Sequence, residues 1–283
     1  MPRARWSDMP ELPETEVVTR ALRSSCRGAG IERIEILHTG IVGKPSDLKP
    51  AWYEKAIIQR VHRHGKHIIL TLLKGQETGY LAIRLGMSGQ LLRRNRGVLR
   101  MGHTHAVISF VDRPFEIHFR DPRRFGRILM QRSLVPIRKG MDPLALRAAA
   151  FREVMIRGKG RIKATLMNQN IIAGIGNIYA NEILFEIGVH PEQKIAHLAA
   201  DRFEDLFIGM KRVLRRAIQK GGTTIRDFRS LYGMPGQFQQ FLKVYGKAGK
   251  PCARSGCTGI IQVRRPTRQA QPSFYCPRCQ RKR

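Results

Sequence analysis

Hydrophobic positions change period twice along the chain. From Glu14 to about Ser25, Val17, Val18, Ala21 and Leu22 recur at helical spacing, with Pro13 at a tolerated helix-start position and Gly28 as a stop. From Ile31 to about Arg132 the pattern alternates instead. IERIEIL, IIQRVHR, KHIILTLL, YLAIRLGM, HAVISFV and FEIHFR read as strands punctuated by Gly, Pro and Asp, the signature of an antiparallel sandwich. LVPIRKGMDPL has the composition of a linker, and helical spacing returns from about Leu146 to Lys220. Within it, ATLMNQNIIAGIGNIYANEILFEIG predicts two helical runs around a Gly-Ile-Gly-Asn turn, with Asn177 placed to cap the second. Such a turn offers backbone N–H groups to an anion, although a tight helix hairpin needs the glycines in any case.

Charge alters this picture more than composition does. The chain has 283 residues, enough for two domains and a small appendage, and 42% are hydrophobic without a run long enough to cross a bilayer. Its 52 Lys and Arg against 21 Asp and Glu give a formal net charge of +31, which favours a polyanionic partner. Charge alone fits a ribosomal or merely basic protein as well. After Asp227 no acidic residue occurs, while Lys and Arg recur from Arg229 to Arg283. The octet MPRARWSD lacks the apolar centre of an export signal.

Four of the five cysteines lie in the last thirty-two residues, and Cys26 stands alone. This distribution suits a reducing compartment and a metal site better than a disulfide scaffold. Cys252-x4-Cys257 and Cys276-x2-Cys279, separated by eighteen residues, pair four thiolates as a tetrahedral Zn²⁺ requires, against the alternative of four unrelated buried cysteines. With every coordination position filled by protein, the ion would be structural and would fold a short basic hairpin. At the other end, PELPETE follows an internal Met9. Were the chain to start at Met9 and be trimmed, Pro10 would present a secondary amine flanked by Glu11 and Glu14; carboxylates are also what any helix N-terminus attracts.

PELPETE, GKHIILTL, LGMSGQL, DPRRFG, GIGNIYANE, GGTTIRDF and VYGKAGKPC…FYCPRCQ, in this order from about Pro10 to Gln280, resemble the formamidopyrimidine-DNA glycosylase family. The resemblance implies an α+β protein: an N-terminal helix plus antiparallel β-sandwich, then a helical domain with a helix–two-turns–helix element and a four-cysteine zinc-ribbon hairpin. The expected boundaries are 1–9, an extension absent from the mature protein; 10–134, the catalytic sandwich; 135–150, a linker; 151–245, the helical DNA-binding domain; and 246–283, the zinc hairpin. The implied activity is excision of oxidised purines, such as 8-oxoguanine and formamidopyrimidines, from duplex DNA, followed by β,δ-elimination at the abasic site.

The implied roles follow residue by residue. Pro10 is the nucleophile, Glu11 a general acid/base, Glu14 a support for the N-terminal site, and Lys66 a catalytic lysine on the second strand of HRHGKHIIL that contacts phosphate and assists the chemistry. Because the damaged nucleotide must be flipped out, Met87, Arg123 and Phe125 fill the void it leaves. Lys163 and Asn177 hold phosphates, and the loop Ile225, Arg226, Asp227 and Phe228 cradles the lesion base. One structural Zn²⁺, a DNA duplex with oxidised bases as partner, a monomeric state, no membrane contact and a cytoplasmic, nucleoid-associated location complete the expectation. Three places depart from the family pattern. Arg84 stands where histidine is usual and suits a phosphate contact rather than proton transfer. Gln271 replaces the usual hairpin arginine, leaving Arg268 or Arg265 to reach in from the longer loop. The octet would turn the Pro10 nitrogen into an amide without a usable lone pair. Two alternatives stand beside this reading. One is an endonuclease VIII-type glycosylase for oxidised pyrimidines, which PELPE and the Met-Arg-Phe set argue against. The other is a non-catalytic zinc-ribbon DNA- or RNA-binding protein, should the extension be retained.

Overall fold

The computed structural model describes residues 9–134, 137, 139–158, 160–265, 267 and 270–282. The described chain forms two compact units, one of residues 8–138 with 220–237, the other of 139–219 with 238–283. The segment 220–237, read from sequence as part of the helical domain, thus makes its contacts in the first unit.

In the first unit, helix α1 (Leu12–Cys26) starts two residues earlier than its apolar spacing predicts because Glu11 serves as its N-cap. Eight strands follow: β1 (Ile31–Ile36), β2 (Ile57–His64), β3 (His67–Lys74), β4 (Glu77–Arg84), β5 (Gln90–Asn95), β6 (Thr104–Phe110), β7 (Phe115–Arg120) and β8 (Arg127–Gln131). They form two four-stranded antiparallel sheets, ordered β1-β6-β7-β5 and β2-β3-β4-β8. One core joins them: Ile58, Leu70 and Ile83 of one sheet, Ile108, Ile117 and Phe119 of the other, and Val18 and Leu22 of α1. β3 breaks strict alternation because its second face is also covered, with Ile69 and Ala82 packed against Leu134 and Ile137. The 220–237 segment enters the main core through Phe228 and Leu231, and Arg93 donates its backbone N–H to the Leu231 carbonyl at 2.8 Å.

The second unit holds α2 (Ala148–Ile156), α3 (Ile162–Met167), α4 (Asn177–Glu186), α5 (Ala200–Gln219) and the two-stranded hairpin β9 (Gln262–Arg264) and β10 (Ser273–Tyr275). α4 is buried from Asn177 to Phe185, whereas α5 is amphipathic and buries Phe203, Leu206, Met210, Val213, Leu214 and Ala217 at helical spacing. The ribbon is fastened to α4 by polar contacts. Asn181 Oδ1 accepts the Phe274 N–H at 2.7 Å, and the buried Glu182 carboxylate accepts the N–H groups of Lys243, Val244 and Tyr245 at 3.0, 2.9 and 2.8 Å. A small core of Phe185, Val244, Ile261, Cys252 and Cys276 lies between.

Candidate functional site

Pro10 is buried directly before the α1 N-terminus. Glu11 and Glu14 form a reciprocal capping box, in which the Glu11 N–H donates to Glu14 Oε2 at 2.8 Å and the Glu11 side chain accepts the Glu14 N–H. The other Glu14 oxygen, Oε1, accepts the Thr223 N–H at 2.6 Å, so a single buried carboxylate ties the start of α1 to the 220–237 segment. Gly222 makes this approach possible: it has φ +81, and a Cβ there would stand 3.0 Å from Glu14 Oε1.

Lys66 lies in the two-residue turn between β2 and β3, not on the second strand as its sequence position suggests. It is half-buried. Burial lowers its pKa, Glu11 and Glu14 oppose that shift, and Arg84 reinforces it. Arg63 fixes the turn by donating to Glu16 Oε2 and to the Gly65 carbonyl, both at 2.9 Å. His67 pairs with Arg84 across β3 and β4, and burial, with Arg84 and His64 in support, pushes its pKa down to about 4.

A second cluster joins the turn after β4 to the loop after β7. Asp121 is fully buried; its Oδ1 accepts from Ser88 Oγ at 2.5 Å and from the Arg123 N–H at 3.3 Å, and its Oδ2 accepts the Gly126 N–H at 2.7 Å. The Arg123 N–H also reaches Ser88 Oγ at 3.1 Å. This scaffold presents Arg123 and Phe125 outward, the guanidinium 5.1 Å from the ring centroid and Phe125 41% exposed. Met87 is not presented with them. It is buried at 3% exposure, so filling a DNA void would require it to leave its packing.

Of the 225–228 loop, Ile225 and Arg226 are exposed, while the Phe228 side chain belongs to the core and leaves only its backbone to a ligand. Thr224 Oγ1 donates to the Phe228 carbonyl at 3.0 Å and Gln90 Nε2 donates to the Asp227 carbonyl, so the loop is tethered at two points.

In the second unit Gly176, in extended conformation, is the N-cap of α4, and Asn177 is its first helical residue rather than its cap. Asn177 Oδ1 accepts from Asn181 at 3.1 Å, but its buried Nδ2 has no partner among the described residues. An unpaired donor at a helix N-terminus is suited to an anion. The Lys163 ammonium is buried and already engaged: it donates to the carbonyls of Pro272 at 2.6 Å and Gln271 at 3.4 Å, and to Ser273 Oγ at 3.0 Å. It clamps the hairpin. Arg268 lies outside the described residues; Arg265, at the end of β9, is exposed.

The four hairpin cysteines converge, with all sulfurs within 4.8 Å of one another. Cys252 and Cys257 lie 3.7 Å from Cys279 and Cys276 respectively, and Cys257 lies 3.2 Å from Cys279. A tetrahedral Zn²⁺ with bonds of about 2.3 Å holds its sulfurs about 3.8 Å apart, so the donor set fits that ion in number, softness and spacing. Gly259 donates its N–H to Cys257 Sγ at 3.4 Å, and a Cβ there would stand 2.6 Å from Cys276 Sγ.

Reading the sequence singled out none of Asp121, Ser88, Gln90 or Arg63. Asp121 is the first residue of DPRRFG, but a turn-forming Asp-Pro hides a buried three-way acceptor. Gln90 and Arg63 act across long sequence separations and leave no local signal.

Residues 9–128 match the formamidopyrimidine-DNA glycosylase N-terminal domain, and residues 140–229 match the H2TH domain of the same enzymes. A formamidopyrimidine-DNA glycosylase of Ruegeria pomeroyi is 37% identical, covering 96% of this chain and all of the relative. One of Marinobacter nauticus is 35% identical over the same shares. Among solved structures, the Lactococcus lactis protein in complex with DNA containing an abasic site superposes with a TM-score of 0.83 at 29% identity, covering 96% of this chain and all of the other. A variant of that protein with DNA containing Fapy-dG gives 0.84 at the same identity and coverage. With two family domains matched in order and relatives aligned over their full length, the chain belongs to the formamidopyrimidine-DNA glycosylase family.

Proposed function

We propose that the protein is a bifunctional DNA glycosylase and abasic-site lyase for oxidised purines in duplex DNA, with the Pro10 amine as nucleophile. The observation that carries this reading is the enclosure at the α1 N-terminus. Two buried carboxylates, Glu11 and Glu14, and the half-buried Lys66, whose charge interacts with both, gather where Pro10 begins the domain. The L. lactis complexes with abasic-site and Fapy-dG DNA support the substrate class.

A terminal α-amine has a pKa of about 8, against about 10.4 for lysine, so more of it is unprotonated at neutral pH. Pro10 nitrogen would attack the sugar C1′, forming an N–C bond as the bond to the base breaks. Glu11 would supply the proton that opens the ring. A secondary amine passes directly to an iminium, which acidifies the C2′ proton. Loss of that proton expels the 3′ phosphate, and a second elimination expels the 5′ phosphate. Lys66, its pKa lowered by burial, would exchange protons or meet a phosphate. Arg123 and Phe125 would occupy the space of the flipped nucleotide. Asn177 would hold a backbone phosphate, and the 225–228 backbone would face the base. The chemistry needs a free Pro10 nitrogen, so the active form begins at Pro10. Cys252, Cys257, Cys276 and Cys279 would hold one Zn²⁺, which supplies the hairpin with the cross-link its small core lacks.

The test is borohydride trapping on duplexes carrying 8-oxoguanine opposite cytosine or thymine glycol, with the N-terminus determined by mass spectrometry. A covalent adduct at Pro10 on the first duplex is expected. Preference for thymine glycol would reassign the substrate, and no adduct from a Pro10-initiated chain would refute the lyase.

A further inference from the structure

At the C-terminal end of α4, the second unit contains a cavity of about 420 Å³ lined by four arginines, Arg202, Arg254, Arg278 and Arg281, and by His190 and His197. No carboxylate lines it among the described residues. α4 has ten residues, so at 1.5 Å per residue this cavity lies about 15 Å along the helix from Asn177.

Arginines near a helix C-terminus commonly do no more than satisfy its last carbonyls. Two of the four do so here. Arg254 donates to the carbonyls of Phe185 and Glu186, the latter at 2.9 Å, and Arg202 donates to that of Ile187. That role does not extend to the rest of the site. Arg278 bonds only the Thr258 hydroxyl, and Arg281 has no partner among the described residues. Among the described residues, only Arg202 of the four meets a carboxylate, that of the half-exposed Asp205 at 2.6 Å. Glu192, the carboxylate nearest His190, is committed to Arg161 and Arg264 at 3.3 and 3.4 Å.

We infer that this cavity is a phosphate-binding site separate from the α4 N-terminus. Convergent guanidinium forks match phosphate oxygens in pairs, and the two arginines bound to helix carbonyls are already oriented. Val189 and Leu198 add an apolar wall, and the volume falls in the range of small-molecule sites, so the ligand has the size and chemistry of an organic phosphate such as a nucleotide. The same chemistry is offered by a phosphodiester of DNA. The inference does not depend on the glycosylase reading.

The test titrates pyrophosphate and ADP by calorimetry into the zinc-loaded full chain at constant ionic strength. Titrations run with and without a saturating duplex carrying a tetrahydrofuran abasic analogue, for wild type and for Arg278→Gln/Arg281→Gln. One saturable site is expected, weakened at least about tenfold in the double variant, as for losing one charge-assisted hydrogen bond. Arg281→Glu, outside the cysteine knuckle, is expected to do the same with zinc content and melting temperature unchanged. Binding that persists with duplex present identifies a free organic phosphate as the occupant. Displacement by duplex, with the slope of log K against log salt for duplex binding, measured separately over a series of salt concentrations, shallower by about two in the double variant, identifies the DNA backbone. Displacement without a change in slope, equal binding by wild type and variants, or no saturable site overturns the inference.

Discussion

Replacing Asp121 by Asn tests whether one buried carboxylate organises the loop that carries Arg123 and Phe125. Asp121 accepts three hydrogen bonds, from Ser88 Oγ, the Arg123 N–H and the Gly126 N–H. Asparagine keeps the shape but turns one oxygen into a donor. If Nδ2 takes the place of Oδ2, it meets the Gly126 N–H donor-to-donor at a site of 0% exposure. A buried donor left unsatisfied costs about 1–3 kcal/mol, and the remaining bonds lose their charge assistance, so about 3 kcal/mol is expected in total. Ser88→Ala removes one donor and leaves the acceptor with its other partners, at about 1 kcal/mol. The chain has two tryptophans, and Trp52 is the one that remains in a form beginning at Pro10, so urea unfolding followed by its fluorescence reports the first unit. Function separates loop placement from general destabilisation. Asp121→Asn should lose trapping on duplex substrates, where a void must be filled, far more than on single-stranded abasic DNA. A midpoint shift worth less than about 0.5 kcal/mol, or equal losses on the two substrates, would refute the organising role.

Gly222→Ala should destabilise the first unit by about 2 kcal/mol in the same urea assay, since φ is +81 and the new methyl meets Glu14 Oε1 at 3.0 Å. It should also weaken the Glu14–Thr223 tie, lowering trapping more than DNA affinity; a wild-type midpoint would contradict this. His67, with its folded pKa near 4 against 6.5, binds its proton more tightly when unfolded. Stability is therefore expected to fall as pH drops from about 6.5 to about 4, by at most about 3 kcal/mol, and His67→Gln should flatten that part of the pH profile. Removing zinc with a mercurial and a chelator should release one ion per chain, measured colorimetrically, and abolish duplex binding while the first unit's urea transition persists. A hairpin unaffected by Cys279→Ala would argue that the cysteines are unrelated to a metal.

The sandwich is legible because short runs rich in β-branched and apolar residues are punctuated by Gly, Pro and Asp; burial itself does not alternate along most of the strands, β6 being buried over nearly its whole length and the pairings of β1 and β2 carrying register shifts. β5 (QLLRRN) and β8 (RILMQ) were the strands no local pattern singled out: arginines at their ends and short apolar runs obscure the period, and their place depends on pairing with β7 and β4. Helix α1 was legible in its apolar face but not in its start, because Glu11 caps it through a reciprocal bond with Glu14 that propensity does not register. The four-cysteine cluster is legible almost outright, since close pairs of soft ligands have few other uses, and the fold brings all four sulfurs together.

The site residues show what a one-dimensional reading of charge leaves out. A lysine in a strongly basic chain reads as a phosphate contact, and Lys163 carries that expectation. In the fold, however, its ammonium meets Gln271, Pro272 and Ser273, so its first task is to fix the hairpin tip. The donor that remains unpaired nearby is the neutral Nδ2 of Asn177. Burial decides between the two. Enclosing an ammonium is tolerable only where several acceptors surround it, and hairpin carbonyls supply them in the absence of DNA. An amide can keep one donor unpaired at a cost of about 1–3 kcal/mol, which a phosphate would return on binding. If Lys163 is mainly a clamp, Lys163→Met should loosen the hairpin and lower the chain's melting temperature with little change in the salt slope of DNA binding. Asn177→Asp, which places like charge before the phosphate, should weaken DNA binding with stability nearly unchanged. Were the two substitutions to act the other way round, Lys163 would have to exchange its hairpin partners for phosphate on binding.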